Sequence, residues 1–261
     1  MLGLTLAVAA ALAAPASAPT FGSVVAIGGS ASDIALDESR GLLYVANFGA
    51  HVIEVMSTGS SAIQASINVL PWPGAIAISP DAQYLLVAHY CNGVTAQACT
   101  NAITSIDLAN NNAQQIFPLA TPPLGVAFLG TGQALVITTT NILLLNPTSG
   151  QNQLVETITS VAMNVPVPLA TFPGQILQAA LAASADGSTI WGIASAGTPA
   201  QLVFQYTGLT NSISGLIVTS SPLLLPRISS AADGSYAMVG YTLVGTRGGS
   251  LYLSLVGEIR G

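Results

Sequence analysis

The sequence predicts an all-β fold, a β-propeller of about five four-stranded antiparallel blades. Three features of the sequence predict it. A phrase of strand, turn and strand returns five times along the chain, the turns carry Asp and Gly, and the apolar residues come in short runs. Short apolar runs bounded by Gly, Pro, Asn and Asp indicate many buried strands rather than long helices.

The recurring phrase contains a short apolar strand, a tight polar turn and a second, more hydrophobic strand. Its turn residues return every 42 to 55 residues, at Ser39, Asp81, Thr131, Asp186 and Asp233. This interval is close to the roughly 40 to 50 residues of a propeller blade. Asp followed by Gly, at 186–187 and 233–234, indicates hairpins, because Asp caps its own turn and Gly accepts a positive φ.

Two more strands follow the hairpin in most copies. Third strands begin at Val52, Ile103, Ile142, Gln201 and Ser250, and fourth strands begin at Ala62, Ala113 and Gln153. Four antiparallel strands make a propeller blade, and a blade buries its faces only by stacking against its neighbours. The expected blades of one domain, 19–261, span about residues 31–73, 74–123, 124–175, 176–226 and 227–261.

Three segments carry a family resemblance: LLYVANF at 42–48, PGAIAISPDAQYLLVAH at 73–89 and ITSIDL at 103–108. They resemble the YVTN-type, WD40-like repeats of bacterial propellers, clearly over residues 31–145 and more faintly to 240. Proteins with these repeats commonly have seven blades, so the resemblance implies a partial copy of a seven-bladed propeller. It specifies a fold much better than an activity.

The two chain ends leave the predicted propeller incomplete or closed by the N-terminal strand. The fifth copy offers three strands, while FGSVVAIGG at 21–29 is a strand without a partner of its own. If this strand completes the fifth copy, the ring closes and no long edge is left open. The favoured alternative is a piece of a longer propeller. An open arc exposes a blade face at each end, which predicts aggregation or dependence on a partner.

The first 18 residues predict a signal peptide. An apolar run leads to small-residue cleavage options, among them Ala16-Ser17-Ala18, so a secreted, periplasmic or cell-surface protein is expected. The alternatives are an uncleaved membrane anchor or a disordered tail. The mature chain contains no apolar run of the ~18 residues that a stable membrane span needs.

Charge and cysteine content narrow the partners. Charged residues make up 5% of the chain and only four are basic, so nucleic acid is not an expected partner. The two cysteines, Cys91 and Cys99, lie close together, which favours a disulfide across one loop in an exported protein. Two free, partly buried thiols are the alternative. A zinc site is not expected, because the spacing of the two cysteines does not match the short cysteine pairs that bind zinc.

Two functions from different classes remain. The first is a non-enzymatic extracellular binding or scaffold propeller, whose ligand is an unknown protein or glycan. The second is a metal-dependent, lactonase-like hydrolase, whose axial metal would use Asp33, Asn47 and Asn141. The sequence has no GxSxG, HExxH, P-loop or dinucleotide motif, so no catalytic, cofactor-binding or metal-binding residue is assigned. This absence of a convergent set of acids and histidines favours the binding propeller.

Three further side chains are expected to be structural. His89 is expected to pack beside Tyr90 and the cysteine loop rather than to act in catalysis. Trp72 and Trp191 are expected to pack between blades rather than to stack on a ligand.

Overall fold

The computed structural model describes residues 24–91, 100–165, 172–219, 227–240, 242–247 and 250–255. These residues form twenty strands and one short helix, and the strands make five separate four-stranded sheets. Strands that follow each other in the chain lie side by side and antiparallel in each sheet. The predicted all-β fold of about five four-stranded blades is confirmed. The predicted signal peptide, 1–18, lies outside the described residues.

The first three blades contain strands of five or six residues, apart from a longer first strand. Blade 1 contains β1 (Ala31–Asp37), β2 (Leu42–Asn47), β3 (Val52–Ser57) and β4 (Ile63–Asn68). Blade 2 contains β5 (Pro73–Ile78), β6 (Tyr84–His89), β7 (Ala102–Asp107) and β8 (Ala113–Pro118). Blade 3 contains β9 (Pro123–Phe128), β10 (Ala134–Thr138), β11 (Asn141–Leu145) and β12 (Asn152–Thr157).

The last two blades differ in strand length, and a helix precedes them. The helix is α1 (Ile158–Met163). Blade 4 contains β13 (Gln178–Ala183), β14 (Thr189–Ser195), β15 (Ala200–Thr207) and β16 (Ser212–Thr219). Blade 5 contains β17 (Ile228–Ser230), β18 (Tyr236–Val239), β19 (Thr242–Arg247) and β20 (Ser250–Leu255).

The Asp-Gly hairpins form as their chemistry predicts. The Asp186 carboxylate accepts hydrogen bonds from the Ser184 hydroxyl at 2.7 Å and from the Ser188 N–H at 2.9 Å. Gly187 has φ +65°, a backbone conformation in which a residue with a Cβ would be strained. Because these donors favour the ionised carboxylate, they lower the pKa of Asp186 to about 2. The Asp is therefore a structural residue of the turn.

Four apolar clusters occupy the four contacts between successive blades. One packs blade 1 on blade 2, a second packs blade 2 on blade 3, the largest joins blades 3 and 4, and the last joins blades 4 and 5. Trp191 lies fully buried in the last cluster and donates through Nε1 to the carbonyl of Gly234 at 3.0 Å. The position expected for Trp191, between blades, is confirmed.

Helix α1 was not predicted, and it fills the corner between blades 3 and 4. Thr157 caps it by accepting a hydrogen bond from the Ser160 N–H at 3.0 Å. Ile158 and Val161 are buried in the large cluster, and Gly215 of β16 makes room for the helix. A Cβ at Gly215 would lie 3.0 Å from the Val161 side chain. No helix among the described residues is long and apolar enough to cross a bilayer.

The ring is not closed, so closure by an N-terminal strand is wrong. The described part of that segment, residues 24–30, contains no strand. It lies instead against blade 1, where the Ile27 carbonyl accepts from Asn47 Nδ2 at 2.8 Å and the Ser30 carbonyl accepts from the Phe48 N–H at 2.8 Å. Blade 1 therefore holds the segment that was expected to join blade 5.

Blade 5 also has a fourth strand of its own, where three were expected. The strand that was missed is β19, and the segment beginning at Ser250 is the fourth strand rather than the third. Strand β19 contains Gly245, a residue that is uncommon inside strands. It is needed in the strand because the Tyr252 ring covers it, and a Cβ would lie 2.9 Å from the Tyr252 hydroxyl.

Candidate functional site

The first strand of each blade faces a common central space. These strands, β1, β5, β9, β13 and β17, pack side by side in blade order, and each is the edge strand of its sheet. At the end where they begin they line a cavity of about 540 Å³. We call this the axial cavity. Small residues make up part of its wall, among them Ala31, Gly74, Ala75, Gly125, Ala179 and Ala180. Larger aliphatic residues make up another part: Ile34, Ile76, Leu124, Val126, Leu181 and Ile228.

Two neighbouring polar residues of β1 tie the wall of the axial cavity together. The Ser32 hydroxyl donates to the Pro73 carbonyl at 2.7 Å. The Asp33 carboxylate accepts from the Ile76 N–H through Oδ2 at 2.9 Å and from its own neighbour Ile34 through Oδ1 at 2.9 Å. Both residues therefore join the inner strand of blade 1 to that of blade 2.

Burial raises the pKa of Asp33. Removal of the carboxylate from water raises the pKa of Asp33, and the two backbone N–H groups oppose the rise only in part. Asp33 of blade 1, which blade 2 holds through the Ile76 N–H, therefore binds a proton more readily than an exposed carboxyl group does. A free oxygen lone pair on this group can accept a hydrogen bond from a ligand in the cavity.

Arg227 supplies the opposite charge. It immediately precedes β17 of blade 5, is exposed, and lines the same cavity as Asp33. Of the described lining residues these two are the ones that ionise. Sequence reasoning missed Arg227, because a single Arg before a strand carries no motif. Its position on the axis follows only from the curvature of the whole arc.

A second cavity, of about 750 Å³, lies at the opposite end of the inner strands, among the hairpin turns. Four of its polar side chains, Asp37, Ser39, Ser79 and Ser184, are hydrogen-bonded within their own turns. The Asp37 carboxylate accepts from Ser39 at 2.6 Å and pairs with Arg40 at 2.6 Å. Together these donors outweigh burial and lower the pKa of Asp37. We regard this cavity as the weaker candidate because these four polar side chains are satisfied within the protein.

The residues considered for a metal do not come together around one point of the axis. Asp33 lines the axial cavity, whereas Asn47 at the end of β2 and Asn141 at the start of β11 do not. The Asn47 amide is used by the Ile27 carbonyl and by the Ala50 N–H. Among the described residues, no group of three His, Cys, Asp or Glu side chains is placed to hold a metal ion.

His89 is a buried structural residue, while most of the cysteine loop beside which it was expected to pack lies outside the described residues. It is fully buried at the end of β6, and its ring nitrogens contact the Pro71 carbonyl at 3.2 Å and the Thr104 hydroxyl at 2.9 Å. Burial disfavours the charged imidazolium and lowers the pKa of His89 to about 4. Cys91 follows this strand, but Cys99 lies outside the described residues, so the disulfide stays a prediction.

An aromatic cluster lies on the connection from blade 1 to blade 2. The Trp72 ring is 5.4 Å from the Phe48 ring and 4.7 Å from the His51 ring, the second pair edge to face. The backbone N–H of Trp72 also donates to Nδ1 of His51 at 3.2 Å. These contacts hold the connection that positions β5, which is a structural role for both Trp72 and His51.

Comparisons with known proteins identify the fold. No protein-family model matches the chain, and no curated protein matches it in sequence. Among solved structures it is similar to Kuenenia stuttgartiensis hydrazine synthase, with TM-score 0.62, 14% identity, and coverage of 86% of this chain and 58% of that chain. The chain therefore spans less than two thirds of the hydrazine synthase chain.

Two further similar structures point to the same fold. The Cps50 (Swd1) beta-propeller domain of Myceliophteria thermophila has TM-score 0.58 and 12% identity, covering 84% of this chain and 68% of that one. A chain of a nidogen/laminin complex has TM-score 0.58 and 11% identity, covering 83% and 75%. Such low identities show the β-propeller fold alone. The YVTN-type, bacterial assignment stays a prediction.

Proposed function

We propose that this chain is a non-enzymatic extracellular binding propeller that holds an extended segment of a partner protein in its axial cavity. The observation that carries the proposal is the composition of the cavity wall. The edge strands of the five blades line the axis, and small side chains such as Gly125 and Ala179 leave parts of their backbone accessible beside the portion of β5 that Ser32 and Asp33 already bind. Edge strands recognise extended peptides through main-chain hydrogen bonds.

The side chains of the cavity favour a peptide over an oligosaccharide. Sugar sites commonly offer an aromatic ring for stacking, whereas the described wall carries no aromatic side chain. Asp33 can accept a hydrogen bond from a peptide N–H, and Arg227 can donate to a carbonyl or carboxylate. A cavity of about 540 Å³ has room for a few residues.

The same cavity offers little for hydrolysis. Asp33 is held by two backbone N–H groups, and the described wall contains no histidine, cysteine or second carboxylate to work with it. A lactonase-like reaction needs a metal or an activated water beside such a group. The binding propeller is therefore the simpler function for this cavity. The predicted signal peptide supports a location outside the cytoplasm.

The test blocks the mouth of the cavity without disturbing the core. Ala31 is exposed and lines the cavity, so Ala31→Trp is expected to fill it. Ala113→Trp, on the exposed outer strand β8, is the matched control. We expect phage-displayed random peptides to be enriched on the wild-type chain and on Ala113→Trp, and to bind Ala31→Trp at least about tenfold more weakly.

Other outcomes would contradict the proposal. Enrichment from a printed oligosaccharide panel in place of peptides would assign a glycan ligand. Turnover of simple lactones with added Ca²⁺ or Mn²⁺, abolished by Asp33→Asn, would assign the hydrolase. Peptide binding that is equal in Ala31→Trp and Ala113→Trp would remove the axial cavity as the site.

A further inference from the structure

The arc has an apolar face at each end, one on blade 1 and one on blade 5, that no other blade covers among the described residues. End face 1 is a row across all four strands of blade 1: Leu36, Leu43, Met56 and Ile63. End face 5 is formed by two rows of blade 5: Tyr236, Gly245 and Tyr252, and Met238 with Leu243. Leu36 is 47% exposed, Tyr236 49% and Tyr252 44%, which is unusual for large apolar side chains in strands.

End face 1 has the same positions that blade 2 uses to pack on blade 1. Leu36 pairs with Leu43, and Leu43 with Met56, just as Ile78 pairs with Leu85, and Leu85 with Ile106. In blade 2 that row lies in the apolar cluster between blades 1 and 2. End face 1 is therefore a complete interface half without a partner blade.

End face 5 has the matching half. Met238 comes five residues after Asp233, as Trp191 comes five residues after Asp186, so the two occupy equivalent positions of neighbouring blades. Trp191 is fully buried against blade 5, whereas Met238 is 39% exposed. The face with Met238 is thus of the type that receives the next blade.

We propose that two copies of this chain associate head to tail, end face 5 of one copy packing on end face 1 of the other. Every copy carries both halves of a contact that the arc already makes four times internally. Such a heterologous contact leaves one half free at each end, so further copies add.

The electrostatics of the two faces permit this contact. The carboxylate on the blade 1 face is Glu54, which is buried and accepts hydrogen bonds from the Ser66 hydroxyl and from Asn47 Nδ2 at 3.5 Å. Because this group is already satisfied, docking of a second copy removes no unpaired carboxylate from water. The described side chains of end face 5 carry no carboxylate and no basic group.

The test uses one charge on each face of the full-length chain. Wild type is expected to form oligomers whose mass rises with concentration in size-exclusion chromatography with light scattering. Leu36→Asp and Met238→Asp are each expected to be monomeric. An equimolar mixture of the two variants is expected to form a heterodimer and nothing larger. Leu36→Asp keeps end face 5 and Met238→Asp keeps end face 1, so the mixture can form only one contact.

A matched control separates this contact from general stickiness. Leu209 is 94% exposed in the β15–β16 turn, and Leu209→Asp is expected to associate as wild type does. Circular dichroism identifies any variant that fails to fold, and Tyr252→Asp then replaces Met238→Asp.

Three results would overturn the proposal. They are a wild-type chain that stays monomeric at about 100 μM, a variant that dimerises alone, and a mixture that stays monomeric. Monomeric wild type would leave the two faces to a different protein. Neither Leu36 nor Met238 lines the axial cavity, so peptide binding there is tested independently of this association.

Discussion

Trp191 and Met238 occupy the same position in neighbouring blades, but their surroundings differ. Trp191 lies between two blades, is fully buried and donates a hydrogen bond to the next blade. Met238 has no blade beyond it among the described residues and keeps 39% of its surface exposed. The difference shows that equivalent apolar positions recur on the faces of neighbouring blades. How much the side chain at such a position contributes to stability depends on whether another blade covers it.

The largest expected effect comes from the covered position. Trp191→Ala is expected to lower the free energy of unfolding by about 3 to 5 kcal/mol, because it leaves a cavity and an unpaired Gly234 carbonyl. Urea unfolding measures the change. Leu209→Ala, in an exposed turn, should change the free energy by less than about 0.5 kcal/mol. A loss under about 1 kcal/mol for Trp191→Ala would mean that blades 4 and 5 hardly support each other.

The pH dependence of stability tests a group that is buried in a covered blade. His89 belongs to blade 2, which is covered on both sides, and its pKa of about 4 lies below the 6.5 of an unfolded chain. Between those values the unfolded chain binds more protons, so stability is present above pH 6.5 and is lost as the pH falls toward 4.

The expected loss over that window is on the order of 3 kcal/mol. Urea unfolding at pH 7 and pH 4.5 measures it, and His89→Gln is expected to reduce the difference between the two pH values. His51→Gln, on the turn after β2, is the control. An unchanged pH difference in His89→Gln would show that other groups cause the acid sensitivity.

The third effect tests the partial cover on blade 1. Asn47→Ala removes the hydrogen bond that holds the Ile27 carbonyl and leaves Glu54 with Ser66 alone. We expect a loss of about 1 to 3 kcal/mol, because buried polar groups lose their partner. Limited proteolysis should cut residues 24–30 faster in this variant. Equal cutting rates would mean that Asn47 does not hold the segment.

The smallest effect belongs to the uncovered position. Met238→Ala is expected to cost less than about 1 kcal/mol, since a partly exposed side chain buries little surface. The measurement is made in a Leu36→Asp background, which keeps the chain monomeric. If the cost approaches that of Trp191→Ala, end face 5 is covered in the monomer, and the contrast between the two positions fails.

Local chemistry allowed the strands and turns to be predicted closely. Polar turns and alternating strands are set by residues that are neighbours in the chain, and the first four blades follow this pattern. The missed strand, β19, contains Gly245, whose reason is a Tyr252 ring on the next strand. A local pattern cannot distinguish such a glycine from a turn glycine. Helix α1 was missed likewise, because it depends on the space that Gly215 leaves for it.

The candidate site was predicted less well than the fold. Asp33 was considered, but as a metal ligand beside Asn47 and Asn141, and only Asp33 lines the axial cavity. Arg227 and Ser32 were not considered. Ser32 and Asp33 lie at the start of β1, and Arg227 lies just before β17. The long separation of Arg227 from the other two in the chain forms no motif that could be recognised.

The sequence by itself determined the repeat, the four-stranded blade and the turn chemistry, because these depend on contacts between residues close in the chain. Only the tertiary structure decided whether the ring closes, where the N-terminal segment lies and which charges share the axis. Those outcomes depend on the angle at which each blade packs on the next. That packing depends on contacts between blades, such as the hydrogen bond from the Trp191 side chain to the Gly234 carbonyl, which form only after the blades have formed.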